Sequence, residues 1–441
     1  MAPSRGGKGS SKSSKSTGNP PAKSQRKQKE AQKFSNETPT SSASRPAIAP
    51  IPLKVQQWLL DIFVNTFSHL LNPQAAQDTL KPLLQEVKGH LYNRDFAAAF
   101  GKEEYLEAYA ARWSASRALG YVEIFREVLQ HFEVATQPSS LDEEVADLQH
   151  GKQNTENARK GAADIKVICL GGGAGAELVA LAGNLALHEY QAEFGNLDVA
   201  DIAAEERTSR VDTEVRQRSD DHLAAALVDI AEWTNVTAAL AKAVFEQPKV
   251  SPYASAAAKA AAKPLVSSNS AFSSRFIQQD VLESEYDISS LLALPKSTIV
   301  TEQLEDNSMP SCNTDHFLIT MMFTLNELYA TSIAATQHLL IKLTSAVQPG
   351  TLLLVVDSPG SYSTVTVNNS EKKYPMLWLL EHTLFNQAPK ALNTGEDGGF
   401  EPVVWKRVLS DESRWFRLPE GLRYPIELEN MRYQIHLYRR L

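Results

Sequence analysis

The chain has 441 residues, of which 43% are hydrophobic, and this content is ample for a packed core. No apolar run approaches the ~20 residues that a membrane-spanning helix needs, so we expect no membrane contact. Two cysteines, Cys169 and Cys312, are too few for a disulfide framework and favour a reducing, intracellular setting. The spacing of Cys and His residues predicts no metal site.

Charge is distributed unevenly along the chain, although the formal net charge is only −8. Residues 1–50 contain ten Lys and Arg and two acids, which gives this segment +8 and leaves −16 on the rest. The segment is rich in Ser, Lys, Pro and Gly, so we predict that it is disordered. A basic tail on an acidic body suggests a nucleic-acid contact or a nuclear import signal, and a merely solvated tail is the alternative.

Residues 51–133 have apolar side chains at three- and four-residue spacing, which predicts an all-helical region. The predicted helices are Pro52–Leu71, Ala75–Leu91, Lys102–Arg117 and Ala118–Phe132. A polar linker is predicted at 134–164.

Within this region, the segment from Tyr109 to Tyr121 concentrates two arginines, a tryptophan and two tyrosines. One interpretation is a lid over a ligand, with Arg112 and Arg117 facing a phosphate or a carboxylate. The interpretation that we favour is a packed helix on which both arginines are exposed.

A buried strand, a glycine-rich turn and a helix follow the linker. Val167–Leu170 is apolar and partly β-branched, and Ala176–Ala186 has the apolar face of a helix. Between them lie Gly171, Gly172, Gly173 and Gly175. This order places free backbone N–H groups at a helix N-terminus, where a nucleotide or a carboxylate can bind. Bulky side chains at 171, 173 or 175 would block that approach.

Four further strands are predicted to complete a parallel sheet. They are Ala225–Asp229, Phe272–Leu282, His316–Phe323 and Thr351–Asp357. Helices are predicted at Glu232–Val244, with Thr234 or Asn235 as its cap, at Ser332–Ala346 and near Met376–Phe385. Residues 189–222 and 248–270 lack apolar periodicity and are predicted to be flexible insertions.

Two extended runs, Arg414–Leu418 and Met431–Tyr438, come near the end of the chain. Adjacent terminal strands after five strand–helix units fit an antiparallel edge on a parallel sheet. The predicted fold class is therefore α/β, with a Rossmann-like, mostly parallel sheet preceded by an all-helical region.

The region 165–441 resembles the class I S-adenosylmethionine-dependent methyltransferases, because a glycine turn and polar loops lie at the edge where open α/β sheets bind ligands. The resemblance implies that Asp229 binds the cofactor ribose and that Asp280 with Val281 lines the adenine pocket. It also implies that the cofactor contacts the turn residues Gly171, Gly172, Gly173 and Gly175. Cys169 stands where the family often has an acid, and Glu177 is expected to compensate in part.

Several motifs resemble those of the fungal 25S rRNA uridine-N3 methyltransferase family. They are Leu170–Glu177, Ala111–Arg117, Phe323–Tyr329, Val356–Ser361 and Ser413–Phe416. The resemblance implies methyl transfer from S-adenosylmethionine to N3 of a uridine in large-subunit rRNA. The implied partners are that rRNA and pre-ribosomal particles. A monomeric enzyme is expected in the nucleus and nucleolus, with the cytoplasm as a further location.

Uracil N3 carries a weakly acidic proton, so a base or an anion-stabilising donor should assist its methylation. We assign Glu327 as the base, Asn326 as a hydrogen-bonding partner of a uracil carbonyl, and Tyr329 as a stacking partner of the ring. The alternative is that Asn326 and Glu327 cap the helix that begins at Ser332. Asp357 and Tyr362 are weaker candidates at the same edge.

Two other functions fit parts of the pattern. Gly171-x-Gly173-x-x-Ala176 also matches the dinucleotide fingerprint of nicotinamide-dependent oxidoreductases, although the terminal antiparallel pair argues against that class. A methyltransferase fold without activity could instead act as a scaffold on pre-ribosomal particles. The chain has no P-loop sequence, which argues against phosphoryl transfer.

Overall fold

The computed structural model describes most of the chain, and residues 51–441 form one compact unit. The described residues are 50–134, 164–194, 222–248, 271–292, 315–360, 370–392 and 403–441, with parts of 253–267 and 362–367. The predictions for 1–49, for most of the linker and for 195–221 lie outside these residues. The domain boundaries drawn from the sequence stay a prediction.

A seven-stranded sheet forms the centre of the fold. The described residues contain nine strands, seven of them in this sheet. In chain order they are β1 (Ile165–Leu170), β2 (Leu223–Asp229), β3 (Phe272–Gln278), β4 (His316–Met322), β5 (Leu352–Asp357), β6 (Tyr362–Val367), β7 (Ser370–Pro375), β8 (Trp405–Phe416) and β9 (Met431–Arg440). The sheet order is β3-β2-β1-β4-β5-β9-β8, in which β9 and β8 pair antiparallel and the other five strands are parallel. This order confirms the predicted fold class. β6 and β7 form a separate hairpin that the sequence analysis missed.

Helices precede the sheet and connect its strands. They are α1 (Leu53–Thr66), α2 (Ser68–Leu71), α3 (Pro73–Ala75), α4 (Lys81–Tyr92), α5 (Phe96–Ala99), α6 (Glu103–Tyr109), α7 (Ala115–Val134), α8 (Ala176–Phe194), α9 (Thr234–Phe245), α10 (Ser289–Leu292), α11 (Leu325–Thr331), α12 (Ile333–Ala346), α13 (Met376–His382) and α14 (Ala388–Leu392). Single π-helical turns at Ala76–Leu80, Ala110–Ser114 and Thr383–Gln387 join neighbouring helices.

The central strands are apolar along their length because helices cover both faces of the sheet. In β1, Val167 and Cys169 face a core shared with α1, α7, α8 and α9. Ile168 and Leu170 face the opposite core, which α11, α12 and α13 complete. The alternation of a strand thus divides one apolar run between two cores.

The N-terminal helices belong to the first of these cores. A Cβ atom on Gly183 of α8 would lie 2.8 Å from Cδ2 of Leu59 on α1 and 3.1 Å from Cγ2 of Val122 on α7. The missing side chain at 183 therefore lets these three helices pack closely. Arg414 of β8 and Glu127 of α7 form an ion pair at 2.9 Å, and both side chains are 13% exposed. This ion pair links the helical region to the antiparallel edge.

The helix break predicted between Arg117 and Ala118 is wrong. The chain is helical from α6 through the π turn at Ala110–Ser114 and on through α7. A π turn adds one residue to a helical turn, so it shifts the phase of the apolar pattern without ending the helix. The cap predicted for α9, Thr234 or Asn235, is also wrong, because Trp233 occupies the N-cap position and no side chain forms a cap hydrogen bond there.

Both predicted insertions contain residues that pack against the rest of the protein. α8 continues to Phe194, well into the segment 189–222. Within 248–270, Leu265 and Val266 are buried in the first core. The two predicted insertions are therefore too wide, because a helix end and a short apolar pair carry little periodicity.

Two strand boundaries also differ from the predictions. β3 ends at Gln278, because the Asp280 carboxylate accepts a hydrogen bond from the Leu282 N–H (2.9 Å) and turns the chain. β8 begins at Trp405, well before the predicted start at Arg414. Two irregularities in its pairing with β9 disrupt the alternation that would have revealed it.

We expect Phe125→Ala to destabilise the whole compact unit, because α7 shares its core with the sheet. Phe125 is fully buried, and loss of a buried phenyl ring lowers the free energy of unfolding by about 3–5 kcal/mol. Urea unfolding followed by circular dichroism and by tryptophan fluorescence should give one coincident transition, shifted to lower urea. Gln130→Ala, on the exposed face of α7, should leave the midpoint unchanged. Early, separate loss of helix signal would show that the helical region folds as its own unit.

Candidate active site

The carboxyl ends of the central parallel strands meet at one edge of the sheet, where four acidic side chains lie. They are Glu177 on α8, Asp229 on β2, Glu327 on α11 and Asp357 on β5. β1 lies between β2 and β4, so the connections leave the centre of the sheet in opposite directions. Such a switch point opens a crevice at the carboxyl ends of the strands.

The glycine turn after β1 is packed against other parts of the protein. Gly171 and Gly175 have φ angles of 80° and 78°, which other residues rarely adopt. A Cβ atom on Gly171 would lie 2.2 Å from Oγ1 of Thr324, and one on Gly173 would lie 2.1 Å from Cδ1 of Trp233. The absence of side chains therefore lets Thr324 and Trp233 contact the turn, a requirement that the sequence analysis, concerned with ligand approach, did not consider.

Helix α8 begins directly after this turn. The first N–H group with a partner in the helix ladder is that of Val179, which donates to the Gly175 carbonyl at 3.2 Å. The N–H groups at positions 176–178 come before this bond and have no acceptor in the helix ladder. They lie at the helix N-terminus, beside the crevice. The dipole of this long helix adds partial positive charge there.

Asp229 ends β2 and is hydrogen-bonded to the turns around it. Its Oδ2 accepts from the Gly173 N–H (3.2 Å) and its Oδ1 from the Ala231 N–H (3.1 Å). Burial raises the pKa of Asp229, and these N–H groups partly offset the rise. Each carboxylate oxygen can accept a second hydrogen bond, so Asp229 retains the capacity to bind ribose hydroxyls.

Asp280 and Val281 lie in the turn that follows β3. The Gln279 N–H donates to the Asp229 carbonyl at 2.8 Å, which ties this turn to the end of β2. The Asp280 side chain stabilises the turn through the Leu282 N–H, and Val281 is half-buried. The structure thus places the pair beside Asp229, and their contact with an adenine ring stays a prediction.

Asn326 and Glu327 lie in the first turn of α11, directly after β4. Asp357 of β5 accepts hydrogen bonds from the N–H groups of Asn326 (3.0 Å) and Ser358 (2.7 Å), which fixes the start of α11 against the sheet. Glu327 keeps an exposed side chain, yet the surrounding protein desolvates its carboxylate enough to raise its pKa to about 7. Arg117 lowers this pKa in part, and Asp357 and Asp229 add to the rise.

The alternative role predicted for Asn326 and Glu327, as caps of the next helix, is wrong. Ser332 itself caps α12, because its hydroxyl accepts a hydrogen bond from the Ala335 N–H at 3.2 Å. The stacking role predicted for Tyr329 is also contradicted. Tyr329 is 2% exposed and is packed in the second core, so it presents no ring face to a base.

Arg112 and Arg117 both point into the protein, so the prediction that they are exposed is wrong. Arg112 is 7% exposed and forms an ion pair with Glu429. Arg117 donates from Nη1 to the Tyr109 hydroxyl at 2.7 Å, and its guanidinium lies 5.0 Å from the centre of the Phe323 ring. Its position in the crevice depends on the packing of α7, which no local sequence pattern shows.

Burial, the larger effect, raises the pKa of Glu177 to about 7 and that of Asp357 to about 6, and the nearby Arg117 lowers both pKa values in part. Glu177 also contributes, after burial, to the raised pKa of the Cys169 thiol, so it lies near Cys169, as the predicted compensation requires. Acids outnumber bases in the crevice. A ligand with a sulfonium and an ammonium group fits this charge, its hydroxyls would fit the Asp229 acceptor, and the N-terminus of α8 fits an anionic group.

In the described ranges, no helix is long and apolar enough to cross a membrane. In the same residues, no group of three or more His, Cys, Asp or Glu side chains could hold a metal ion.

The sheet order, the glycine turn after the first strand and the acid ending the second define a class I S-adenosylmethionine-dependent methyltransferase fold. Residues 67–439 match the sequence model of a family described as putative SAM-dependent methyltransferase, and the chain belongs to that family. This membership confirms the class predicted from the sequence and argues against the oxidoreductase alternative.

Comparison with individual proteins gives the same class. The chain is 29% identical over 388 residues to the 25S rRNA (uridine(2843)-N(3))-methyltransferase of Saccharomyces cerevisiae, with 87% of this chain and 85% of that protein covered. It also resembles solved SAM-dependent methyltransferases. One is from Methanosarcina mazei (8% identity, TM-score 0.28, 63% of this chain and 92% of that chain). Another is from Clostridium acetobutylicum (8%, 0.24, 73% and 97%). The structural likenesses are too distant to carry an argument of their own.

The pKa of Glu177 predicts how stability depends on pH. The folded-state pKa is about 7 against a reference of 4.5, so ionisation of Glu177 between these values destabilises the folded protein. Relative to the native protein, Glu177→Gln should gain on the order of 3 kcal/mol of unfolding free energy as the pH rises from 4 to 8. Urea unfolding at both pH values measures this difference. Glu104→Gln, at an exposed acid, is the control, and parallel pH curves for Glu177→Gln and native protein would contradict the prediction.

Proposed function

We propose that this protein transfers a methyl group from S-adenosylmethionine to N3 of a uridine in large-subunit rRNA. The observation that carries the proposal is the similarity to the yeast uridine-N3 methyltransferase, 29% identity over 87% of this chain. The arrangement of the site supports it, because Glu327 lies in the first turn after β4 at the edge of the crevice, where burial raises its pKa to about 7. The expected partners are the rRNA and pre-ribosomal particles.

The residues at the crevice fit the proposed cofactor, which when bound would supply an electrophilic methyl group on a sulfonium. The glycine turn and the start of α8 would hold its amino-acid portion, with Glu177 beside its positive charges. Asp229 would accept hydrogen bonds from the ribose hydroxyls. Asp280 and Val281, in the turn tied to Asp229, would border the adenine.

On the acceptor side, Glu327 would remove the N3 proton of the uracil, so that the nitrogen could accept the methyl group. The cofactor would supply that methyl group by cleavage of its S–CH3 bond and would leave as the neutral thioether. A carboxylate with a pKa of about 7 is well matched to this task near neutral pH. The Asn326 side chain would bind a uracil carbonyl, and Asp357 would hold the Asn326 backbone in place (3.0 Å). The main tasks of the site are therefore positioning and proton removal.

The same proposal places the protein in the nucleus and nucleolus. Residues 1–50 carry ten Lys and Arg against two acids, which suits an RNA contact or an import signal. Both roles agree with an rRNA substrate, and the rest of the chain carries excess acid.

Nucleoside mass spectrometry of large-subunit rRNA tests the proposed function. Cells that lack the protein should lose 3-methyluridine, and the native protein should restore it. Asp229→Asn should fail to restore it, because the neutral amide binds ribose hydroxyls less strongly than the carboxylate does. Glu412→Gln, at an exposed acid of β8, should restore it fully. Unchanged 3-methyluridine in the deletion cells would contradict the proposal, and failure of the purified protein to bind S-adenosylmethionine would then favour a scaffold.

Glu327→Gln tests the assignment of the base. The single-turnover rate should fall by roughly 100- to 10,000-fold while affinity for S-adenosylmethionine is unchanged. The native rate should rise as the pH increases to about 7 and then level off, since the carboxylate must be deprotonated to act. Glu283→Gln, at an exposed acid after β3, serves as the control. A native-like rate in Glu327→Gln would show that another group takes the proton.

A further inference from the structure

The helical N-terminal region supplies one cation to the crevice, the guanidinium of Arg117 on α7. Tyr109 of α6 accepts a hydrogen bond from its Nη1 atom at 2.7 Å. The guanidinium also lies 5.0 Å from the ring centre of Phe323, which follows β4 directly. These contacts hold the cation from two sides.

Phe323 adopts a conformation that is unfavourable for a residue with a side chain. Its φ angle is 60°, and its N–H donates to the Val356 carbonyl of β5 at 2.7 Å. Such strain persists only where the surrounding structure enforces it, and it concentrates at functional sites. Here the strained backbone places an aromatic ring under Arg117.

Arg117 has N–H donors that form no hydrogen bond with the described residues. A guanidinium has several donors in a planar fork that matches a carboxylate, and the bond to Tyr109 uses one of them. Among the residues that the structure describes, no carboxylate forms an ion pair with Arg117. Glu177, Glu327 and Asp357 are near enough to interact electrostatically but not to bond with it.

We propose that Arg117 binds the carboxylate of the methionine portion of S-adenosylmethionine, with Tyr109 as the residue that positions it. This inference rests on the proposed function and names the group that recognises one part of its cofactor. The ligand must be an anion with a planar pair of oxygens, because that is what the unused donors match. Arg117 neighbours Glu177 at the start of α8, which is the cofactor side of the crevice.

The surrounding charge favours this anion over an RNA phosphate. A free amino acid carries an ammonium group next to its carboxylate, so the acids around Arg117 can bind the ammonium while Arg117 binds the carboxylate. A phosphodiester has no such cation, and Glu177, Glu327 and Asp357 would repel it. The mixture of one base and several acids therefore fits the zwitterionic end of the cofactor.

Isothermal titration calorimetry with S-adenosylmethionine and with its decarboxylated analogue tests the proposal. The native protein should bind S-adenosylmethionine more tightly than the analogue, by roughly 10- to 100-fold. Arg117→Met should lose that preference, with weaker binding of S-adenosylmethionine and unchanged binding of the analogue. Arg117→Lys and Tyr109→Phe should lose part of it, because a lysine lacks the planar fork and the second variant leaves the guanidinium less firmly held.

Arg112→Met is the matched control, since Arg112 comes from the same segment and pairs with Glu429. It should keep the native preference even if it lowers stability, and urea unfolding reports whether each variant is folded. Equal loss of affinity for both compounds in Arg117→Met and Arg117→Lys would overturn the inference and leave the proposed function standing. Equal binding of both compounds by the native protein would do the same. A native protein that binds neither compound would overturn the proposed function and this inference together.

Discussion

Burial of carboxylates beside a single guanidinium is the interaction on which the site depends. Glu177 and Asp357 are each 3% exposed, and they reach the crevice from different elements. A buried carboxylate is unfavourable unless hydrogen bonds or a positive charge compensate it. Asp357 receives two backbone N–H bonds, Glu177 is compensated by its own backbone N–H, and Arg117 is the positive charge near both carboxylates. The folded protein therefore maintains excess negative potential in the crevice, and a cationic ligand would relieve it.

The two central turns of this edge are built in the same way. Gly171 follows β1 with a φ angle of 80°, and Phe323 follows β4 with a φ angle of 60°. Each donates its N–H to the neighbouring strand, Gly171 to the Val228 carbonyl (2.8 Å) and Phe323 to the Val356 carbonyl (2.7 Å). The sheet ladder thus continues one residue beyond each strand and enforces a left-handed turn there. Both turns open the crevice, but only the second keeps a side chain, and that side chain contacts Arg117.

The sheet could be predicted from the sequence because its central strands are buried on both faces and appear as apolar runs bounded by turns. Asp229 could be placed because a strand end fixes its edge of the sheet. The burial of Tyr329 could not be predicted, because the sequence of a seven-residue helix does not reveal which of its faces meets the core. The exposed position favoured for Arg117 was wrong for a related reason. A π turn at Ala110–Ser114 shifts the helical phase before it, so the residues that face the crevice no longer follow the pattern upstream.

The helical region is part of the site and not an attachment to it. The acids and the glycine turn come from the sheet and its connections, whereas Tyr109 and Arg117 come from α6 and α7. These helices share the core that lies beneath α8. Arg117 therefore reaches the carboxyl edge of the sheet only when the helical region and the sheet are packed together. A ligand that binds this assembled state and not the unfolded chain stabilises both parts at once. Binding of such a ligand and the packing of the N-terminal helices would therefore be thermodynamically linked, and a change in either would shift the other.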